Sequence, residues 1–163
     1  MATPAPPDDL ASRGELGPAV EVLARLARIL ERASGELSLA HYRVLAMVSS
    51  GDGRASRLAT RLSLGKPAIS AAVDSLAARE MIVRSGPEED HRATRLEITP
   101  RGRCALAAAE SAMAAELADL LHRTPDPEAV LTALDALSAS LHERRAERMA
   151  ATTGPGMLPS TSS

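Results

Sequence analysis

The chain has 163 residues, 45% of them hydrophobic and only 1% aromatic, with a formal net charge of −2 at pH 7. That length supports one compact domain with a real core, and the Ala- and Leu-rich composition points to helices packed closely through small side chains. No apolar run approaches the ~20 residues that span a bilayer and the first residues lack a secretory pattern, so a cytoplasmic location without a membrane partner is expected, while one cysteine, Cys104, excludes an internal disulfide.

Residues 1–17 contain Pro4, Pro6 and Pro7 and few large apolar side chains, the pattern of a flexible N-terminal arm. Pro18 opens a predicted helix whose apolar positions Val22, Leu23, Leu26, Ile29 and Leu30 form one stripe, with Arg25, Arg28 and Arg32 outside it and Ser34-Gly35 as its stop. A second helix is predicted from Ser38 to Ser49, with Ser38 as N-cap and Leu39, Tyr42, Val44, Leu45 and Val48 as its apolar set. Gly51-Asp52-Gly53 then breaks the chain.

Residues 55–76 read as two helices around a tight turn. Leu58, Ala59 and Leu62 recur at helical spacing in the first. In the second, Ala68, Ile69, Ala72, Val73 and Leu76 mark a core face and leave Lys66, Ser70, Ala71, Asp74 and Ser75 on the others. Leu64-Gly65 makes the corner, and Lys66-Pro67 opens the second helix, where the missing N–H of proline has no intrahelical partner to lose. Beyond it, residues 81–84 form a predicted strand, 85–90 a charged Gly-Pro turn, and 95–99 a second strand alternating polar and apolar.

A helix-turn-helix followed by a hairpin is a winged helix. The run Asp90-His91-Arg92-Ala93-Thr94-Arg95-Leu96-Glu97-Ile98-Thr99 resembles the wing pattern of the MarR family of bacterial transcription regulators, an Asp and an Arg followed by a Leu-x-Leu-Thr strand. The resemblance extends from about Leu37 to Leu121. After the wing, Thr99 caps a helix that begins at Pro100 and continues through Leu106, Ala109, Met113, Leu117, Leu120 and Leu121 to the breaker Thr124-Pro125. Asp126-Pro127-Glu128 starts the last helix, with the stripe Val130, Leu131, Leu134, Leu137 and Leu141 and a charged end from His142 to Arg148. Residues 150–163 have the composition of a disordered tail.

The fold class is therefore mainly α with a small β-hairpin wing: an arm (1–17), an N-terminal dimerisation helix (18–36), a winged helix-turn-helix (37–99), C-terminal dimerisation helices (100–149) and a tail (150–163). The dimerisation role is implied by the resemblance, since in the family the first and last two helices interlock with a second subunit. The apolar stripes here exceed what one winged helix can cover. A two-fold homodimer would set two recognition helices roughly 34 Å apart and read a palindromic double-stranded DNA operator. Charge agrees once it is resolved by segment: residues 54–103 carry ten basic and six acidic side chains, a net +4, which leaves −6 for the rest.

Lys66, at the start of the recognition helix, can meet a base edge or phosphate; Ser70 can donate to either, and Ala68 and Ala71 can lie against thymine methyl groups beside Pro67. Many family members carry a long polar side chain where this chain has Ala71, a difference that shifts weight toward shape and backbone contacts. Arg54, Arg57 and Arg61 suit phosphate contact or an ordinary solvated face equally. The resemblance assigns Arg92 to the minor groove, Asp90 and Arg95 to its support and His91 to a phosphate; the plain alternative is a charged hairpin loop.

His41 and Tyr42 lie on a helix that lines an effector cleft in the family, so they are candidate contacts for a small molecule, or simply a packing pair. Cys104 reads as a small core residue, with a redox-responsive regulator as the alternative it would support. His41, His91, His122 and His142 lack metal-ligand spacing, so no metal or cofactor is expected. There is no phosphate loop, nucleophile elbow or catalytic carboxylate cluster, and the expected function is a non-enzymatic one: a DNA-binding repressor released by a small effector. A winged helix used only for protein contacts is the remaining class, and it would need neither Lys66 nor Arg92.

Overall fold

A computed structural model describes Gly14, residues 16–51, Leu58, Leu62, residues 65–85 and residues 95–152, without the side chains of Lys66, Met149 and Thr152. Among the described residues the elements with defined bounds are, in order, α1 (Leu16–Ala33), α2 (Leu39–Ser49), α3 (Lys66–Ala78), β1 (Ile82–Ser85), β2 (Arg95–Ile98), α4 (Pro100–His122) and α5 (Pro127–Thr152). Leu58 and Leu62 are helical and buried, as their spacing predicts. The break at Asp52-Gly53, the Leu64 corner, the hairpin turn and the ends of the chain lie outside the described residues.

Local chemistry sets most of the boundaries. The Ser38 hydroxyl accepts from the backbone N of His41 at 3.2 Å, and the Glu31 carboxylate, reaching over from α1, accepts from the backbone N of Leu39 at 2.9 Å. Two orphan donors of α2 are thereby satisfied from two directions. The Asp126 carboxylate accepts from the backbone N of Ala129 at 2.9 Å and caps α5. Between α1 and α2, buried Ser34 sets its hydroxyl against the carbonyl oxygens of Glu31 and Leu37.

Three boundaries differ from the sequence reading. The first helix starts at Leu16 rather than Pro18, so Pro18 is its third residue, still inside the turn whose N–H groups have no intrahelical partner. The strand expected over 81–84 is displaced by one residue to Ile82–Ser85. Helix α5 runs to Thr152, past the expected start of the tail, because Ala150, Ala151 and Thr152 contain no breaker.

The core lies between α2, α3, α4 and the hairpin. Leu37, Val44, Leu45, Leu58, Leu76, Met81 and Ile82 are its most deeply buried side chains, joined by Ile69, Val73, Leu96, Leu106 and Met113. The strands pair antiparallel, Ile82 opposite Ile98 and Ser85 opposite Arg95, so Ile82 and Leu96 face the core. Among the described side chains, helices α1 and α5 contribute none that is buried: Val22 is 62% exposed and Leu141 65%.

The recognition helix ends in a turn that the sequence reading passed over. The backbone N of Glu80 donates to Ala77 O and that of Met81 to Leu76 O, both at 2.9 Å, with Glu80 at φ 57°. This is a Schellman closure with a glutamate in the left-handed position that glycine ordinarily takes, and its hydrophobic contact is supplied by buried Met81 and Leu76. Next to it, a Cβ on Gly102 would lie 2.1 Å from Met81 O and 2.9 Å from Ile98 Cγ1, so α4 can approach the turn only through glycine. Two opposite effects on urea unfolding are expected: Glu80→Gly stabilises, by up to the ~1–2 kcal/mol that left-handed backbone costs an L residue, and Gly102→Ala destabilises by about 1–3 kcal/mol or more.

Candidate nucleic-acid interface

Helix α3 presents two faces. Ile69, Ala72, Val73 and Leu76 are buried, while Pro67, Ala68, Ser70, Ala71 and Asp74 are exposed at i, i+1, i+3, i+4 and i+7, a single stripe open to solvent. The exposed side chains near its start are small, so another molecule can approach the helix backbone closely. Gly65 caps the helix without a side-chain bond, Pro67 sits in the first turn, and that turn has no acidic residue. Among the described residues the first turn thus has neither a capping side chain nor an acid against the positive end of the helix dipole, an arrangement suited to a phosphate. Lys66 is the first helical residue, so its backbone belongs to this end.

Asp74 would be the one anion on the stripe, but the Arg84 guanidinium of β1 pairs with its carboxylate. Both side chains are more than half exposed, so the pair is worth little in stability. Its effect is to cancel a charge that would repel a polyanion. Arg95 is exposed on β2 opposite Ser85, whose hydroxyl is set against Arg95 O at 3.3 Å and Glu97 Oε1 at 2.7 Å. The stripe of α3 and the open face of the hairpin are thus joined through Asp74 and Arg84. Of the residues expected to read DNA, Pro67, Ala68, Ser70, Ala71 and Arg95 are exposed as that role requires; Arg54, Arg57, Asp90, His91 and Arg92 lie outside the described residues.

The rear of the unit is fastened by bonds that sequence pattern does not reveal. Thr99 Oγ1 donates to Glu80 O at 2.7 Å and accepts from the backbone N of Gly102 at 3.0 Å, while its own N–H donates to Met81 O at 3.1 Å. The Arg79 guanidinium, at the C-cap of α3, pairs with Glu36 at 2.8 Å. Arg43 of α2 donates through Nη2 to Leu62 O at 3.0 Å. Only the capping role of Thr99 had a local signal, its position just before Pro100.

His41 and Tyr42 are both half-buried, with different charges beside them. Burial, then the Arg79 guanidinium, hold the His41 imidazole below its ordinary value, against a smaller opposing pull from Glu31. Burial and then the Glu110 carboxylate raise the Tyr42 phenol. The imidazole thus senses the end of α1 and the end of α3, while the phenol senses α4. Cys104, expected in the core, is exposed: it falls off the face defined by Gly102, Ala105, Leu106, Ala109 and Met113. Among the described residues no group of three His, Cys, Asp or Glu side chains could hold a metal, and no helix is long and apolar enough to cross a membrane.

A recognition helix with one free face, closed behind by a hairpin and a long helix, defines a winged helix-turn-helix protein. Residues 36–93 match the sequence model of the MarR family, and the chain has the fold of solved MarR-family transcription regulators. Among solved structures, Staphylococcus aureus MarR in complex with salicylate and kanamycin is similar at a TM-score of 0.72 and 13% identity, over 85% of this chain and 94% of that one. The transcriptional regulator BldR from Sulfolobus solfataricus is similar at 0.60 and 26% identity, over 78% and 96% of the two chains. CouR from Rhodococcus jostii bound to p-coumaroyl-CoA is similar at 0.61 and 19% identity, over 86% and 92%. No curated protein matches the chain in sequence.

The lowered His41 value makes stability depend on pH with a definite sign. Below the ordinary histidine value of 6.5 the unfolded chain takes up the proton first, so stability is full above that value and falls as pH drops through it toward the lowered folded value. Urea midpoints measured from about pH 7.5 to 5.5 should fall for the native chain and fall less for His41→Gln.

Proposed function

We propose that the protein is a homodimeric, sequence-specific transcriptional repressor of the cytoplasm that binds a palindromic double-stranded DNA operator and is released by a small-molecule effector. The observation that carries the reading is the exposed stripe of α3, small side chains on an N-terminus free of acidic groups, backed by a fully buried opposite face. In this reading the stripe enters the major groove, with Lys66 and Ser70 making the polar contacts. The hairpin lies along the backbone and sends Arg92 into the minor groove, while Arg54 and Arg57 meet phosphates.

The unburied apolar stripes supply the dimer. Leu16, Val20, Val22 and Leu23 of α1, Leu120 of α4 and Leu131, Leu137 and Leu141 of α5 are exposed in the single chain, a set of large apolar side chains that suits a partner surface. A cleft of about 310 Å³ between α1, α4 and α5, lined by Val22, Leu26, Ile29, Leu117, Leu121 and Val130, continues that surface. A second copy related by a two-fold axis covers it and fixes the distance between recognition helices. The salicylate and p-coumaroyl-CoA complexes of two similar structures support an effector of that general kind, an aryl carboxylate or its thioester. His41 and Tyr42, half-buried on the helix that joins the two regions, are the candidate contacts.

Selection of sites from a random DNA library by the purified chain at near-physiological salt should enrich one palindrome, held over random duplex by ~10³-fold or more. Lys66→Ala and Arg92→Ala should each lose that preference. No enriched sequence would sink the DNA-reading proposal. In sedimentation, the native chain should run as a dimer and Leu23→Glu should not. Release by Cys104 oxidation, with no response to any aryl carboxylate, would replace the effector by a redox signal.

A further inference from the structure

A second cavity, of about 280 Å³, lies between α2 and the C-terminal half of α5. Four arginines line it, Arg43 from α2 and Arg144, Arg145 and Arg148 from α5, together with His142 and the hydroxyl-bearing Ser138. Among the described residues, Arg43, Arg144 and Arg145 have no carboxylate partner. Glu143 and Glu147 are close in sequence but are absent from the lining. The reason is helical spacing: positions 138, 141, 145 and 148 share one face of α5, and 143 and 147 fall on the other.

Gathering the guanidinium groups of Arg43, Arg144 and Arg145 around one concavity is unfavourable, since like charges repel. An anion removes that cost. Arginine, rather than lysine, is the residue whose planar fork meets two oxygens of a phosphate at once. A hydroxyl and an imidazole on the same wall add further polar partners. The volume is near the lower end of ligand pockets, about 300–1,000 Å³, which suits a compact anion or the charged part of a larger one.

We propose that this cavity binds a small phosphate-bearing anion, with Arg43, Arg144 and Arg145 as its principal ligands. The site joins two parts of the molecule that otherwise meet little. Arg43 already donates one of its N–H groups to Leu62 O, at the helix preceding the recognition turn, and also lines the cavity. An anion there ties the end of α5 to the helix-turn-helix. A free anion is favoured over a DNA phosphate because the arginines converge on a concavity, whereas DNA is met by the convex stripe of α3 and the hairpin.

Isothermal titration of the full chain with inorganic pyrophosphate at physiological ionic strength tests the site. One saturable site per chain is expected, bound at least roughly tenfold more weakly by Arg144→Gln/Arg145→Gln and unchanged in Arg28→Gln, a control on the surface of α1. Urea unfolding of each variant establishes that the fold is kept; should the double variant unfold, Arg145→Lys, which keeps the charge and removes the fork, takes its place and should bind more weakly than the native chain. Absence of saturable binding overturns the proposal, as does an equal loss in the Arg28→Gln control. If pyrophosphate fails to bind while the double variant loses affinity for a random duplex, the arginines serve the DNA backbone and the small-anion site is refuted. None of these binding results depends on the operator preference, so the repressor reading stands or falls separately.

Discussion

One threonine and one glycine hold the recognition helix in place. Thr99 receives a bond from the N–H of Gly102, gives one from its hydroxyl to Glu80 O and another from its backbone to Met81 O. Gly102 lets the first turn of α4 touch the Met81 carbonyl, a contact that any larger residue would force apart. The end of α3, the start of β1, the end of β2 and the start of α4 therefore meet within a few residues, joined by three hydrogen bonds through Thr99. Bonds this close together act as a group, though the Thr99–Glu80 bond is exposed, so each adds only about 0.5–1.5 kcal/mol.

Around that junction the charges do a different task. The exposed Asp74–Arg84 and Arg79–Glu36 pairs contribute little to stability, yet both lie on the elements that border α3. They decide which charges remain free to act on a polyanion. A chain with a net charge of −2 can present a recognition helix free of uncompensated acid, because the one carboxylate on its stripe is occupied. Outside the unit, the arginines of α5 collect on one face of that helix and its glutamates on the other, so formal charge again says less than its distribution.

The parts of the fold written in local chemistry were legible in the sequence: Ser38 and Thr99 cap the helices they precede, and Gly65-Lys66-Pro67 opens α3 as read. The same holds for the exposed positions of α3, which follow from a 3.6-residue period alone. Cys104 was misplaced although the signal existed, since it stands two residues before Leu106 and so about half a turn off the core stripe. Glu80 gave no warning, because a left-handed turn is read from glycine or asparagine and here the surrounding bonds impose it on glutamate. Bonds across 19 positions, Arg43 to Leu62 and Thr99 to Glu80, carry no periodic trace at all. The gathering of arginines from α2 and α5 into one cavity likewise depends on how α5 returns along the molecule, which no local pattern records.

The stiffness of the Thr99 junction turns α4 into a lever. Its 23 residues make a rod of about 34 Å, clamped at one end to the recognition helix and meeting α1 and α5 toward the other. A tilt of about 5° displaces one end of such a rod by roughly 3 Å relative to the other. That distance is close to the 3.4 Å rise of one base step along a strand, roughly the precision with which a helix must sit in a groove. A change in packing too slight to alter the shape of the far end would thus arrive at the near end as a shift of nearly one base.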